Sequence, residues 1–153
     1  MMLRTILERC PKSRGILCDL PSVVAGAAAI RNSSVAARCE IIGANFFESV
    51  PAGGNAYLLK RILHDWNDDQ AVRILQNCRR AMAAGAKVLA MDAVVTRSNE
   101  PDPSKWMDLN MLALLPGRER TAAEFEQLYA RAGLTLTRIV PAARVSILEG
   151  VAA

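Results

Sequence analysis

Four short apolar runs, each carrying a polar residue at or near its far end, constrain this chain more than any other feature. GILCD (15–19), CEIIGANFF (39–47), AYLLK (56–60) and KVLAMDAVV (87–95) are close to continuous in apolar side chains. A strand with one wet face alternates apolar and polar residues, so an unbroken run points to burial on both faces. Segments with helical spacing lie between the runs. Strands alternating with helices in this way predict an α/β fold, a mostly parallel sheet with helices on both faces. Two further strands are expected at TLTRIV (135–140) and VSILEG (145–150).

The intervening helices carry start and stop signals. Leu3, Ile6 and Leu7 fit a short amphipathic helix ending near Cys10 and Pro11, and Val23, Val24, Ala27 and Ala28 fit a second. The clearest helix opens at Asn67, with Gln70 three residues on, acids at 68 and 69, and Arg79 and Arg80 in its last turn before Gly85. Its apolar face is Ala71, Ile74, Leu75, Cys78 and Met82. Residues 104–115 predict another helix, ended by Pro116 and Gly117. Thr121 with Glu124 predicts a capping box, and Phe125, Leu128, Tyr129 and Ala132 share the face that follows it. PAGGN (51–55) is turn chemistry.

Composition removes several classes of function. At 153 residues and 52% hydrophobic, the chain can bury one core and does not fit a disordered composition. Its net charge of +4 comes from scattered basic residues, not from a basic run interleaved with aromatics, which argues against a nucleic-acid partner. Cys10, Cys18, Cys39 and Cys78 form no CxxC pair and are expected to be buried, reduced thiols. With one histidine beside them, they propose no metal site. SVVAGAAAI (22–30) is too short to span a bilayer, and no cleavable leader is recognisable, so no membrane partner and a cytoplasmic location are expected.

In parallel sheets the ligand lies at the carboxyl ends of the strands. This chain puts Asp19, Asn45, Lys60 with His64, and Asp92 at those positions. Each has an ordinary reading as well: Asp19 as a helix cap, Asn45 as a turn residue, His64 as a structural histidine, and Asp65 as a helix-start acid. Their repetition at one kind of position favours a site.

LLKRILHDWNDDQAVRILQNCRRAM, then DLNMLALLPGRERTAAEFEQLYARAGL, together with ILCDLPSVVAGA, CEIIGANFFESVPAG and SILEG, resemble the S-adenosylmethionine-dependent O-methyltransferases of the plant caffeate and bacterial polyketide-tailoring type. The resemblance covers nearly the whole chain. It implies a Rossmann-like methyltransferase sheet, mostly parallel with an antiparallel last strand, and a small-molecule hydroxyl acceptor of aromatic or polyketide type. By resemblance, Asp19 holds the ribose of S-adenosylmethionine, Asn45 and Phe46 meet its adenine, and Lys60 belongs to the same cofactor site. Where this chain has Asn45 the family usually has Asp. His64 is the implied general base, taking the hydroxyl proton as its oxygen attacks the methyl group. Asp92, where Glu is commoner, and Glu119 are the implied carboxylates that hold its ring. Met107 and Met111 would line the acceptor pocket or, by spacing alone, belong to the core.

The resemblance also implies features not seen in these 153 residues: a helical dimerisation domain, and a first strand ending in a glycine-rich loop of the GGGxG kind. The expectation is therefore the C-terminal portion of a catalytic domain, truncated at its N-terminal end. A homodimer or a completing partner chain would cover the strand edges left open. Two classes of function stay open at this point: a methyltransferase catalytic portion, and a non-catalytic remnant or binding module that has lost the cofactor.

Overall fold

A computed structural model describes residues 2–114, 116–142 and 145–153. Where length alone suggests one core, the backbone divides into two compact units, one up to Pro51 and one from Ala52 onward. Each contains one pair of parallel strands joined through helices or turns.

The first unit contains α1 (Met2–Arg9), β1 (Gly15–Asp19), the short helices α2 (Pro21–Ala25) and α3 (Ala28–Arg31), and β2 (Cys39–Gly43). β1 and β2 pair in parallel, with Gly15 opposite Cys39 and Asp19 opposite Gly43. Its core is Leu7, Ile30, Val35 and Cys39, with Leu3, Leu17 and Ile41 packed against them. Arg38 donates to the carbonyls of Leu7, Cys10 and Ser13, satisfying one acceptor in the last turn of α1 and two in the turn beyond it. The single helix expected around 23–28 is two pieces, because the chain turns at Gly26 and Ala27.

In the second unit lie β3 (Ala56–Lys60), α4 (Asp68–Ala81), β4 (Lys87–Asp92), α5 (Pro103–Leu114), α6 (Ala122–Arg131), β5 (Leu134–Pro141) and β6 (Ser146–Ala152). Their sheet order is β3-β4-β6-β5. β3 and β4 are parallel, and β6 runs antiparallel to both β4 and β5, so the last strand alone opposes the other three. α4 packs against β4 and α6, and α6 against β5. The core is fully closed around Leu63, Ile74, Leu75, Val88, Ala90, Phe125, Tyr129 and Leu148.

Local chemistry explains why the two best helices begin where they do. The Asn67 side chain accepts from the Gln70 amide at 3.0 Å, and Asp68 and Asp69 put negative charge on the amide end of α4. A cap of this kind stabilises by about 1 kcal/mol. Thr121 and Glu124 form the reciprocal capping box at the start of α6.

Several boundaries and environments differ from the sequence expectation. β2 stops at Gly43, not Phe47, and β4 at Asp92, not Val95. α5 opens at Pro103, whose missing N–H costs nothing in a first turn, and position 115 lies outside the described residues. Met82 caps α4 instead of belonging to it. Cys39 and Cys78 are buried as expected, but Cys10 is exposed and Cys18 half-buried, which corrects the reading of four buried thiols. Cys10 follows the last residue of α1, where the chain turns outward at Pro11. Among the described residues, no helix is long and apolar enough to cross a membrane.

Candidate active site

Strand alternation and one tight approach assemble a cluster of charged groups in the second unit. Val88, Ala90 and Asp92 are the buried positions of β4, so Asp92 faces inward because its strand neighbours two and four residues back do. His64 sits in a short 3-10 turn, Leu63–Asp65, between β3 and α4. The segment before α6 passes directly over that turn: the Arg118 amide donates to the His64 carbonyl at 2.9 Å. Gly117 permits the approach, since any side chain there would collide with the His64 carbonyl and the Asp65 backbone.

This brings Glu119 onto the histidine. Nδ1 of His64 lies 2.9 Å from Glu119 Oε1, with 5% of His64 and 4% of Glu119 exposed. On the other side of the ring, Nε2 is 3.2 Å from Asp65 Oδ1. Only the imidazolium can donate to both carboxylates. The Glu119 hydrogen bond pushes the His64 pKa above the usual 6.5, against the opposing pull of burial, and the charges of Asp92, Glu119 and Asp65 act in the same upward direction. Asp65 precedes α4 by three residues, so it belongs to this cluster and not to the first turn of the helix.

Asp92 behaves differently from Glu119. It is 1% exposed, and neither carboxylate oxygen has a hydrogen-bond partner among the described residues. Burial raises its pKa to about 6, against the attraction of His64. Glu119 raises it further, while the Leu63 backbone and Arg120 lower it. Asp92 thus acts on His64 through charge, whereas Glu119 holds Nδ1 of the ring through a hydrogen bond.

A cavity of about 570 Å³ opens beside this cluster, lined by His64, Asp92, Glu119, Arg61, Ser104 and Met107 among others. Met107 faces it; Met111 is buried and is not among the described lining residues. Arg61, which sequence reading passed over, has a left-handed φ of 53°, uncommon for a non-glycine residue and of a kind that collects at functional sites. Lys60, one position earlier, is exposed at the end of β3.

In the first unit, Asp19 closes β1 and is half-buried, its Oδ1 accepting from the Leu20 amide at 2.8 Å. Asn45 lies two residues beyond β2. Its Oδ1 accepts from the Phe47 amide at 3.0 Å and its Nδ2 donates to Glu48 Oε1 at 3.1 Å, so it organises a turn. Phe46 is half-buried and meets Phe47 edge to face. The carboxylate of Asp19 keeps acceptor capacity beyond its one local bond, which suits a vicinal diol.

Sequence reasoning also missed Arg120. It is fully buried and donates to Asp68, Leu63 and Trp66. The only local signal was an arginine inside GRERT, between an acid and a helix cap.

The pattern of an O-methyltransferase domain matches residues 1–135. The phenazine O-methyltransferase PhzM of Lysobacter antibioticus is 45% identical over 150 residues, covering 97% of this chain and 44% of the relative. The crystal structure of LaPhzM superposes with a TM-score of 0.94 at 44% identity, covering 99% of this chain and 46% of that one. CalO1, a methyltransferase of calicheamicin biosynthesis solved in its SAH-bound form, gives 0.91 at 45% identity, with 99% and 45% covered. The chain therefore spans a little under half the length of the proteins it matches. A match over most of its residues, and identities near 45%, make it a member of the O-methyltransferase domain family.

Proposed function

We propose that the chain carries the acceptor-activating half of an S-adenosylmethionine-dependent O-methyltransferase acting on a hydroxyl of a small aromatic or polyketide-type molecule. The observation that carries the proposal is the pairing of His64 Nδ1 with buried Glu119 beside a cavity. With Nδ1 holding its proton toward Glu119, the lone pair that can accept a proton belongs to Nε2. Asp65 lies 3.2 Å from Nε2, and an acceptor hydroxyl would take that position. Nε2 then receives the hydroxyl proton as the oxygen becomes nucleophilic, and Glu119 and Asp92 stabilise the imidazolium that forms. Met107 and Arg61 line the space an aromatic ring would occupy.

Asp19, Asn45 and Phe46 are the residues we assign to S-adenosylmethionine, which supplies, when bound, an electrophilic methyl group on a sulfonium. Asp19 would accept from the ribose hydroxyls. Asn45 would accept from the adenine amino group, and Phe46 offers an apolar face to the ring.

The test is methyl transfer to hydroxylated phenazines and simpler phenols, read as release of S-adenosylhomocysteine. His64→Gln should lower kcat by about 10²- to 10⁴-fold, with cofactor affinity by calorimetry unchanged. Because the base must be neutral, kcat/KM should rise with pH through the elevated His64 pKa and then level off. Undiminished transfer by His64→Gln would remove the base. Binding of S-adenosylmethionine with no transfer to any hydroxyl would favour a binding module instead.

A further inference from the structure

Arg120 has the environment of a residue that sets geometry. Its guanidinium is entirely buried, and it is the largest fully buried side chain among the described residues. Nη1 donates to the Leu63 carbonyl at 2.8 Å, Nη2 to the Trp66 carbonyl at 2.8 Å, and Nε to Asp68 Oδ1 at 2.9 Å. Leu63 and Trp66 bracket His64 and Asp65. Two prongs of one rigid planar group therefore hold both ends of the turn that presents the imidazole. The Arg120 backbone is tied as firmly on its other side. Its carbonyl accepts from the Val95 amide at 2.9 Å, and it bridges Val94, two residues past Asp92. Glu119 is the adjoining residue. The segments bearing His64, Glu119 and Asp92 thus meet at one residue, the first through its side chain and the other two through its backbone.

We infer that Arg120 is a positioning residue for the His64–Glu119 pair: its fork fixes the histidine turn against the segment that carries Glu119, and so sets the 2.9 Å contact between Nδ1 and Oε1. The inference rests on the proposed role of that pair, but its test does not require turnover. Lysine cannot replace it, because a single ammonium cannot span two carbonyls and a carboxylate in one plane. The partners were inaccessible to sequence reading, since Leu63 lies 57 residues away.

The sign of the expected effect separates positioning from charge. Removing a nearby cation by itself makes an imidazolium easier to form and raises its pKa. Losing the Glu119 hydrogen bond lowers it. His64 is the only histidine in the chain, so its ring signals in an NMR pH titration need no assignment. The imidazole of the full chain is titrated in wild type, Arg120→Met, Glu119→Gln and the double variant. The expected result is a fall of about one pH unit in Arg120→Met, tenfold in proton affinity, with little further fall when Glu119→Gln is added, because both changes break one contact. A rise would show that Arg120 acts only through charge, and an unchanged value that it only supports the fold. Either overturns the inference, as would full additivity in the double variant. If Arg120→Met does not fold, Arg120→Lys, which keeps the charge, is read in the same way: a fall supports the inference and an unchanged pKa ends it. Failure of His64→Gln to impair methyl transfer would remove the base while leaving this titration intact, so the two ideas fail separately.

Discussion

The polar residues at the strand ends of the two units are satisfied in opposite ways. In the first unit, Asp19 and Asn45 are half-buried and bonded to amides one and two residues along the chain. In the second, His64, Glu119 and Asp92 are almost wholly buried, and the bond that matters joins residues 55 apart. A half-exposed side chain with a local partner exchanges that partner for water or ligand at little cost. A buried cluster is costly to assemble, and once assembled only the whole fold can disturb it. The first arrangement suits reversible binding of a hydroxylated ligand, and the second suits holding a proton at one atom.

Glu119→Gln probes that contrast with the largest expected effect. The amide keeps the size of the side chain and loses the charge that favours the imidazolium, so the His64 pKa should fall and kcat should drop roughly ten- to thousandfold, within the ~10²- to 10⁴-fold worth of the base itself. Affinity for S-adenosylmethionine should not move. Equal losses in kcat and cofactor affinity would mean that the two sets of residues are not functionally separate.

Asp92 tests the cost of burial through stability. Its folded pKa of about 6 lies above the ordinary 3.8, so the folded state holds a proton that the unfolded state has released. Folding is favoured by this group below about pH 4, and that contribution is lost as pH rises through 6. His64, also raised, has the same sign: its contribution is complete below 6.5 and is lost as pH rises through its higher folded value. Unfolding free energy should therefore fall from about pH 4 to 6 through Asp92, and further as pH rises past 6.5 through His64. Asp92→Asn should flatten the lower part of that fall, and its advantage over wild type should grow with pH to about 3 kcal/mol at most, from a shift near two pH units. Denaturant titrations at pH 4, 5, 6, 7 and 8 measure it. Parallel curves for wild type and variant would show that Asp92 ionises freely.

These two carboxylates also mark how far the sequence could be read. The runs that became β1, β2, β3 and β4 were legible because apolar content and flanking turns are local. Their ends were not. β2 stops at Gly43 because its partner β1 stops at the paired Asp19, a fact about a different segment. His64 stood out as the sole histidine, and Glu119 through the family resemblance. The inequality between Glu119 and Asp92 was invisible. It depends on a chain crossing at Gly117 that brings one carboxylate to Nδ1 and leaves the other beside the ring without a bond. Arg120 in GRERT reads as a solvated arginine until the carbonyls of Leu63 and Trp66 are known to face it. Local pattern records which segments are strands and helices, whereas the loops that cross between them decide which charges meet.

The smallest effect is expected at Asn45, where restoring the aspartate usual in the family asks whether a charge near water behaves unlike one in the core. Asn45→Asp keeps the acceptor for the Phe47 amide and loses the donor to Glu48, setting two acids side by side in an exposed turn. Solvent screens that pair, so the change in stability should stay within about 0.5 kcal/mol, small beside that expected for Asp92. If Asn45 accepts from the adenine amino group, a carboxylate makes the stronger, charge-assisted bond. S-adenosylhomocysteine should then bind Asn45→Asp roughly two- to fivefold more tightly, well under the ~1.4 kcal/mol that a tenfold change represents. Calorimetry at low ionic strength is the measurement. Unchanged affinity together with unchanged stability would leave Asn45 as a turn residue alone, and would limit the cofactor contacts of the first unit to Asp19 and Phe46.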